Sequence, residues 1–501
     1  MSRLLTLQLA AVLALVLSGC CSTFVNSHRQ KEPMMNAYLM GNYGSARSLA
    51  QDKISCTANT GDELIWRLEA GSLAFSAGEY RAAFQQLQRA QELIDQNDQK
   101  ALVSLSSTGQ EALAILTNPN VISYVAYDRD RITLPIYKAL AALATHGDDA
   151  FNAELRQLRE IQKIILTQNR KFVQAQEQQI QNVRQQNAAA AQQTANVNMQ
   201  SVLGAQQNHA FATHYANTIR LANRAYGEIL NPLAIFLSGL GNLRTGQFGN
   251  ARIDFQRLYE AIPNNPLAQL YCASVHRLAL AAGQTTRELP PQLAQTGIFS
   301  FPLDRNCIFV IIAHGRSAAL QQFALYWPIQ IAVPILQLYT KPFTAFSITA
   351  DRQTYPAFPI ADMDACLAKE YRDRLIGTII RTITATIAKE VAFQAARHAA
   401  YNNTNDRQAA LLADALISIG GTAYKVATAT ADTRTWEAIP KEFLLTQLPM
   451  PKDRQLLLNL QGPVPFQSTI TIPANVQSAI LFVNAPSSPA CTIQLIPLRD
   501  R

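Results

Sequence analysis

Two stretches of this 501-residue chain share one spacing of small and aromatic residues, and that spacing confines the N-terminal half to packed helix pairs. In residues 64–94, Gly71 and Ala74 let a second helix approach the first. Gly78-Glu79-Tyr80 makes the turn, and Ala83, Leu87 and Ala90 form the facing stripe at steps of four and three. Residues 232–263 repeat the register with Gly239, Gly246, Phe248, Ala251, Phe255 and Leu258. Pro263-Asn264-Asn265-Pro266 then closes that unit, as proline does just past a helix end. Residues 35–54 carry a shorter echo in Gly41-Asn42-Tyr43, Ala46 and Ala50. Residues 135–162 read as a divergent copy, with Tyr137, Leu140 and Leu143 before a Gly147-Asp148 turn.

The register resembles the tetratricopeptide repeat, whose period is about 34 residues; Gly41 and Gly78 lie 37 apart. Residues 35–298 are therefore expected to form a TPR-like α-helical repeat domain with a concave face for partner proteins. Trp66, Arg67 and Tyr80 mark one candidate partner-binding surface on it, and Asn231, Asn242 and Arg244 another. Residues 167–209 interrupt the pattern. Rich in Gln, Asn and Ala, they suit a long helical arm or a disordered insertion.

From Phe299 the period changes. Residues 307–313 (Cys-Ile-Phe-Val-Ile-Ile-Ala) form a continuous apolar, β-branched run stopped by His314-Gly315, which predicts a strand buried on both faces. Strands are expected over 323–327, 333–339 and 343–350, with Pro328, Pro334 and Pro342 at edges or turns. Residues 362–398 predict a helix carrying Leu375, Ile379, Ile383, Ile387 and Val391 on one face and Arg372, Arg374, Arg381 and Lys389 elsewhere. A second apolar helix spans 408–429. Short β-rich segments fill the last seventy residues or so. The predicted class is α+β: helical repeats, a mixed strand/helix domain over 299–430, and a small β domain over 431–501.

The N-terminus sets the address. Arg3 precedes an apolar run over 4–17, and Ser18-Gly19 leads into Cys20. This is the layout of a secretory signal ending in a bacterial lipobox. Residues 1–19 would be the signal peptide, Cys20 the lipidated (palmitate-bearing) first residue, and 20–34 a tether. Cys21, where Asp commonly retains lipoproteins in the inner membrane, points to the outer membrane facing the periplasm. Lys and Arg exceed Asp and Glu by 8, but the charges are scattered, and export argues against nucleic acid. The six remaining cysteines are widely and irregularly spaced, unlike a disulfide-stapled miniature or a zinc ribbon, and buried free thiols are expected.

Chemistry-bearing motifs are absent: no HExxH, Walker A, GxGxxG or GxSxG pattern occurs. Cys272 and His276, four apart, read as a core thiol and a surface imidazole. Asp362, Asp364, Glu370 and Asp373 read as a charged helix start, and Asp432 with Arg434 as a pair locking a junction. Tyr326-Trp327 reads as core packing rather than a sugar platform.

Several stretches together resemble an uncharacterised family of bacterial tetratricopeptide-bearing lipoproteins. They are Ile229-Leu230-Asn231-Pro232, the 307–315 strand, residues 371–389, and above all Ala431-Asp432-Thr433-Arg434-Thr435-Trp436 with Ile439-Pro440 and Leu448-Pro449-Met450-Pro451. The resemblance implies envelope or cell-wall work and assigns no catalytic residue. The expected function is a non-enzymatic, lipid-anchored envelope scaffold without cofactor or metal. The alternative is a glycan- or peptidoglycan-binding or -processing lipoprotein acting through its C-terminal β region. Replacing Cys20 by Ala is expected to leave the leader uncut and abolish incorporation of labelled palmitate, read by gel shift and autoradiography.

Overall fold

The computed structural model describes residues 27–105, 123–186, 192, 198–227, 231–326, 330–402 and 431–498. Cys20, Trp327 and the predicted 408–429 helix lie outside them. The chain folds as α+β. The helices are α1 (Ser27–Leu39), α2 (Tyr43–Thr57), α3 (Glu63–Ser76), α4 (Tyr80–Leu105), α5 (Asp128–His146), α6 (Asp148–Gln186), α7 (Met199–Gly204), α8 (His209–Ala222), α9 (Pro232–Arg244), α10 (Phe248–Ala261), α11 (Pro266–Ala281) and α12 (Met363–Asn402). Half of the expected tether is thus helical: α1 buries Lys31, Met34, Met35 and Tyr38.

Four turns between paired helices are built alike. Gly41, Gly78, Gly147 and Gly246 all adopt positive φ, between +73° and +81°. An L side chain resists that conformation, so glycine ends each first helix sharply. At three of these turns one backbone bond recurs: Asn42 N–H to Ala37 O (2.9 Å), Glu79 N–H to Ala74 O (2.9 Å) and Gln247 N–H to Asn242 O (2.8 Å). A further copy at Gly283, with Gln284 N–H on Ala279 O, lies 37 residues after Gly246, the same interval as Gly41 to Gly78. Close approach is equally direct: a Cβ on Gly71 would meet the Leu87 side chain at 2.6 Å, and one on Gly239 the Phe255 ring at 2.9 Å.

The strands are β1 (Cys307–His314), β2 (Ala319–Tyr326), β3 (Gln330–Gln337), β4 (Ala345–Ala350), β5 (Gln353–Pro356), β6 (Phe358–Asp362), β7 (Glu442–Pro449), β8 (Gln455–Gln461), β9 (Phe466–Thr471), β10 (Ser478–Ala485) and β11 (Thr492–Leu498). They form a mixed sheet β11-β10-β1-β7-β6, a hairpin β2-β3 and a four-stranded sheet β5-β4-β8-β9. Here the expected domain division fails, since strands from both sides of residue 430 share one sheet. β1 runs parallel to β10 and antiparallel to β7, so the apolar 307–313 run finds both its partners beyond residue 440. Pro334 lies inside β3, which a two-stranded hairpin tolerates because every strand in it is an edge.

Alternation along β1 divides the interior. Cys307, Phe309, Ile311 and Ala313 join the core made with the helices, alongside Phe75, Tyr137, Phe236 and Phe482. Ile308, Val310 and Ile312 face the other way, onto Ile348, Leu456, Leu458 and Leu460 of the second sheet. The period-2 geometry of a strand makes this one segment the wall between two cores. A third core sits apart, where the β2-β3 hairpin and α8 close on Leu367, Leu375, Ile379 and Ile383 of α12.

His314 ends β1 opposite Glu442. Its Nδ1 donates to Glu442 Oε1 at 2.9 Å, and its Nε2 accepts the Phe343 N–H. Burial pushes the Glu442 carboxyl up, yet His314 and Lys341 outweigh it and hold the pKa below its ordinary value. A depressed carboxyl adds stability above its unfolded pKa, near about 4.3, and loses it as pH falls through the folded value. In urea titrations Glu442→Gln should therefore lower the midpoint at pH 7, and the gap to wild type should close progressively below about pH 4.3.

Candidate functional site

Residues 431–438 form no regular element, yet nearly all are buried. A buried loop is stable only where its polar backbone finds partners, and here charged side chains from the helices provide them. The Glu69 carboxylate accepts from both the Glu437 and Ala438 N–H groups, each at 2.9 Å. Arg129 Nη2 donates to Trp436 O at 2.9 Å, Lys31 Nζ donates to Thr435 O, and Trp436 Nε1 donates to Ser72 Oγ at 3.0 Å. Lys31 and Glu69, both fully buried, pair at 2.8 Å. The expected Asp432–Arg434 pair forms, with Nη2 to Oδ2 at 2.7 Å, and Arg434 reaches Asp62 at 2.8 Å as well. The strap thus stitches α1 and α3 to the start of β7.

The predicted partner-binding residues are mostly spent inside the fold. Trp66 is buried, with the Lys31 ammonium 5.9 Å from its ring centroid. Arg67 is held by Glu63 at 3.0 Å and Gln86 at 2.8 Å, and the Tyr80 ring packs edge-on against Phe75. Trp66 is thus withdrawn from solvent, whereas Arg67 and Tyr80 stay half-buried, Arg67 tied to its own helix and to α4. Asn231 is fully buried and caps α9 through the Leu233 N–H. Arg244 ties Asp148 to the Asp304 carbonyl. Asn242, half-buried, borders open space.

That space is a cleft of about 240 Å³ between α6 and the α9–α10 pair, lined by Asn152, Arg156, Asn242, Thr245, Gln247 and Asn250 among others. Asn242 Nδ2 donates to Asp254 Oδ2 at 2.8 Å, which fixes its amide at the wall. Gly241 holds the helices together there: a Cβ would come 2.8 Å from Leu155 Cδ1.

A second, smaller cavity of about 90 Å³ lies where α6, β3 and α12 meet the strap. Tyr127, Tyr371, Arg374, Arg381, Asp432 and Arg434 line it. Arg374 and Arg381 of α12 therefore face inward, whereas Arg372 stays partly exposed beside Asp373. Their signal was legible: Tyr371, Arg374, Thr378 and Arg381 recur at steps of three, four and three, a polar stripe along one helix face.

Other titratable groups have structural roles. Asp362 caps α12 through the Ala365 N–H, and buried Asp364 accepts from the Ala318 N–H and from Lys441. Cys272 is buried, its thiol pushed up to about 11 by burial. His276 is buried too, against the expected surface position, with Nε2 on the Arg287 carbonyl at 2.8 Å. Cys272, Cys307, Cys366 and Cys491 are free thiols, whereas Cys56 is disulfide-bonded. Among the described residues no cluster of three His, Cys, Asp or Glu could hold a metal ion, and no helix is long and apolar enough to cross a membrane.

No protein-family model matches the chain, and no curated protein or solved structure matches it. Removing Glu69 strands a buried ammonium and two strap N–H groups together. Glu69→Ala should cost about 3–5 kcal/mol, against about 1–2 kcal/mol for Ser72→Ala, which deletes one neutral hydrogen bond. Urea unfolding of the two variants measures the difference.

Proposed function

We propose that this protein is a lipid-anchored envelope scaffold that docks an extended segment of a partner protein in the amide-lined cleft around Asn242. The observation that carries the reading is the lining itself. Asn152, Asn242, Gln247 and Asn250 line it with amides; Asn242 Nδ2 is bound to Asp254 and Asn250 Nδ2 to Gln247 Oε1, which leaves each a further donor hydrogen or acceptor lone pair to complement a peptide backbone. Arg156 on the exposed side of α6 favours an acidic segment. Recurrent glycine turns at one 37-residue interval support a TPR-like origin for the helix pairs framing the cleft. The disulfide at Cys56 suits an oxidising compartment outside the cytosol, and the leader ending at Cys20 suits lipid attachment there.

Photo-crosslinking in intact cells tests the docking surface. A benzoylphenylalanine at Asn250, in the cleft, is expected to give a discrete adduct that the same probe at Val464, an exposed site on the β8–β9 turn, does not give. Arg156→Glu should reduce the Asn250 adduct severalfold. Identical patterns from both sites, or an adduct indifferent to Arg156→Glu, would remove the cleft as a docking surface.

A further inference from the structure

We propose that the cavity between α6, β3, α12 and the strap binds a small monocarboxylate, received by the guanidinium of Arg381. Arg381 is 7% exposed. Its Nε is a buried donor left unmet, and Asp432 acts on the guanidinium through space without forming an ion pair within 4.0 Å. Its neighbours on the cavity wall are occupied: Arg374 pairs with Glu370, and Arg434 with Asp432 and Asp62. Leaving a donor of a buried guanidinium unmet is costly unless an anion completes the site. The same helix pair shows the same deficit elsewhere. Both amide ends of buried Gln179 on α6 and the hydroxyl of buried Thr384 on α12 lack partners.

Charge and size select the ligand. A planar carboxylate matches the guanidinium fork with two parallel hydrogen bonds. Asp432, also on the wall, is held ionised: burial raises its pKa, but Arg434 and Arg381 more than reverse this. A phosphate dianion would be repelled by that carboxylate, and a cation by the arginines. About 90 Å³ equals roughly three waters' share of liquid, room for a compact acid or the carboxylate end of a chain. The Tyr127 and Tyr371 rings offer its carbon skeleton an apolar wall. The carboxylate could be that of a free short-chain acid or of a peptide terminus.

Calorimetric titration of the full chain distinguishes these. Sodium propionate and N-acetyl-alanyl-alanine are the two carboxylate probes; sodium phosphate and propylamine are the controls. At least one carboxylate should bind with one site per chain and the controls should not. Propionate alone indicates a free acid, and the dipeptide a chain terminus. Arg381→Leu should weaken binding about tenfold or more while leaving the urea midpoint unchanged or raised, because it removes an unpaired buried charge. Arg381→Lys, which keeps charge but loses the fork, should bind at an intermediate level. Absence of carboxylate binding, or phosphate binding equally well, would overturn the proposal. So would a midpoint for Arg381→Leu that falls as far as that for Glu69→Ala, which would make the guanidinium a structural group.

Discussion

The fold depends on a single strand that is dry on both sides. β1 has no residue that reaches water, so it must be flanked at both edges and covered on both faces. The edges are closed by β10 and β7, the faces by the helices and by the second sheet. Two consequences follow. The helical half cannot be an independent solenoid, since Phe75, Tyr137 and Phe236 share one core with β1 and β10. The C-terminal residues cannot be a detached module, since their strands close the sheet. A chain of this length would ordinarily divide into several cores with few contacts between them. Here two of three cores meet at one wall, β1, and the third sits apart.

What the sequence made legible was local. The glycine turns at Gly41, Gly78, Gly147 and Gly246 are each dictated by residues within a few positions, and each forms as the pattern requires. The 307–313 strand and the long helix after Asp362 were readable for the same reason, as continuous runs with one period. Partners at long range were not. Nothing near Cys307 announces that Leu448 and Ala479 will flank Ile308, because strand pairing depends on complementary edges that any apolar strand can supply. The expected domain boundary at 430 fell for that reason.

The functional residues show the same split. Trp66, Arg67, Tyr80, Asn231, Asn242 and Arg244 are the residues expected around the concave face of stacked helix pairs. Once the elements pack together, polarity ceases to signal exposure: Asn231 becomes a buried cap, Arg244 ties Asp148 to the Asp304 carbonyl, and Arg67 is held half-buried by Glu63 and Gln86. The reverse error applied to Arg374 and Arg381, whose charge suggested solvent although their spacing beside Tyr371 marked an inward stripe. The junction around Asp432 and Arg434 was readable because both halves of that ion pair lie within three residues of each other.

The early start of α1 has a mechanical meaning. Ser27 opens the first described helix, seven residues after Cys20, and its Lys31 is locked into the strap. Seven extended residues span at most about 25 Å. On the proposal that Cys20 carries lipid, that reach would hold the start of this helix within about 25 Å of the membrane surface. Any binding partner would have to come to the bilayer surface to meet it.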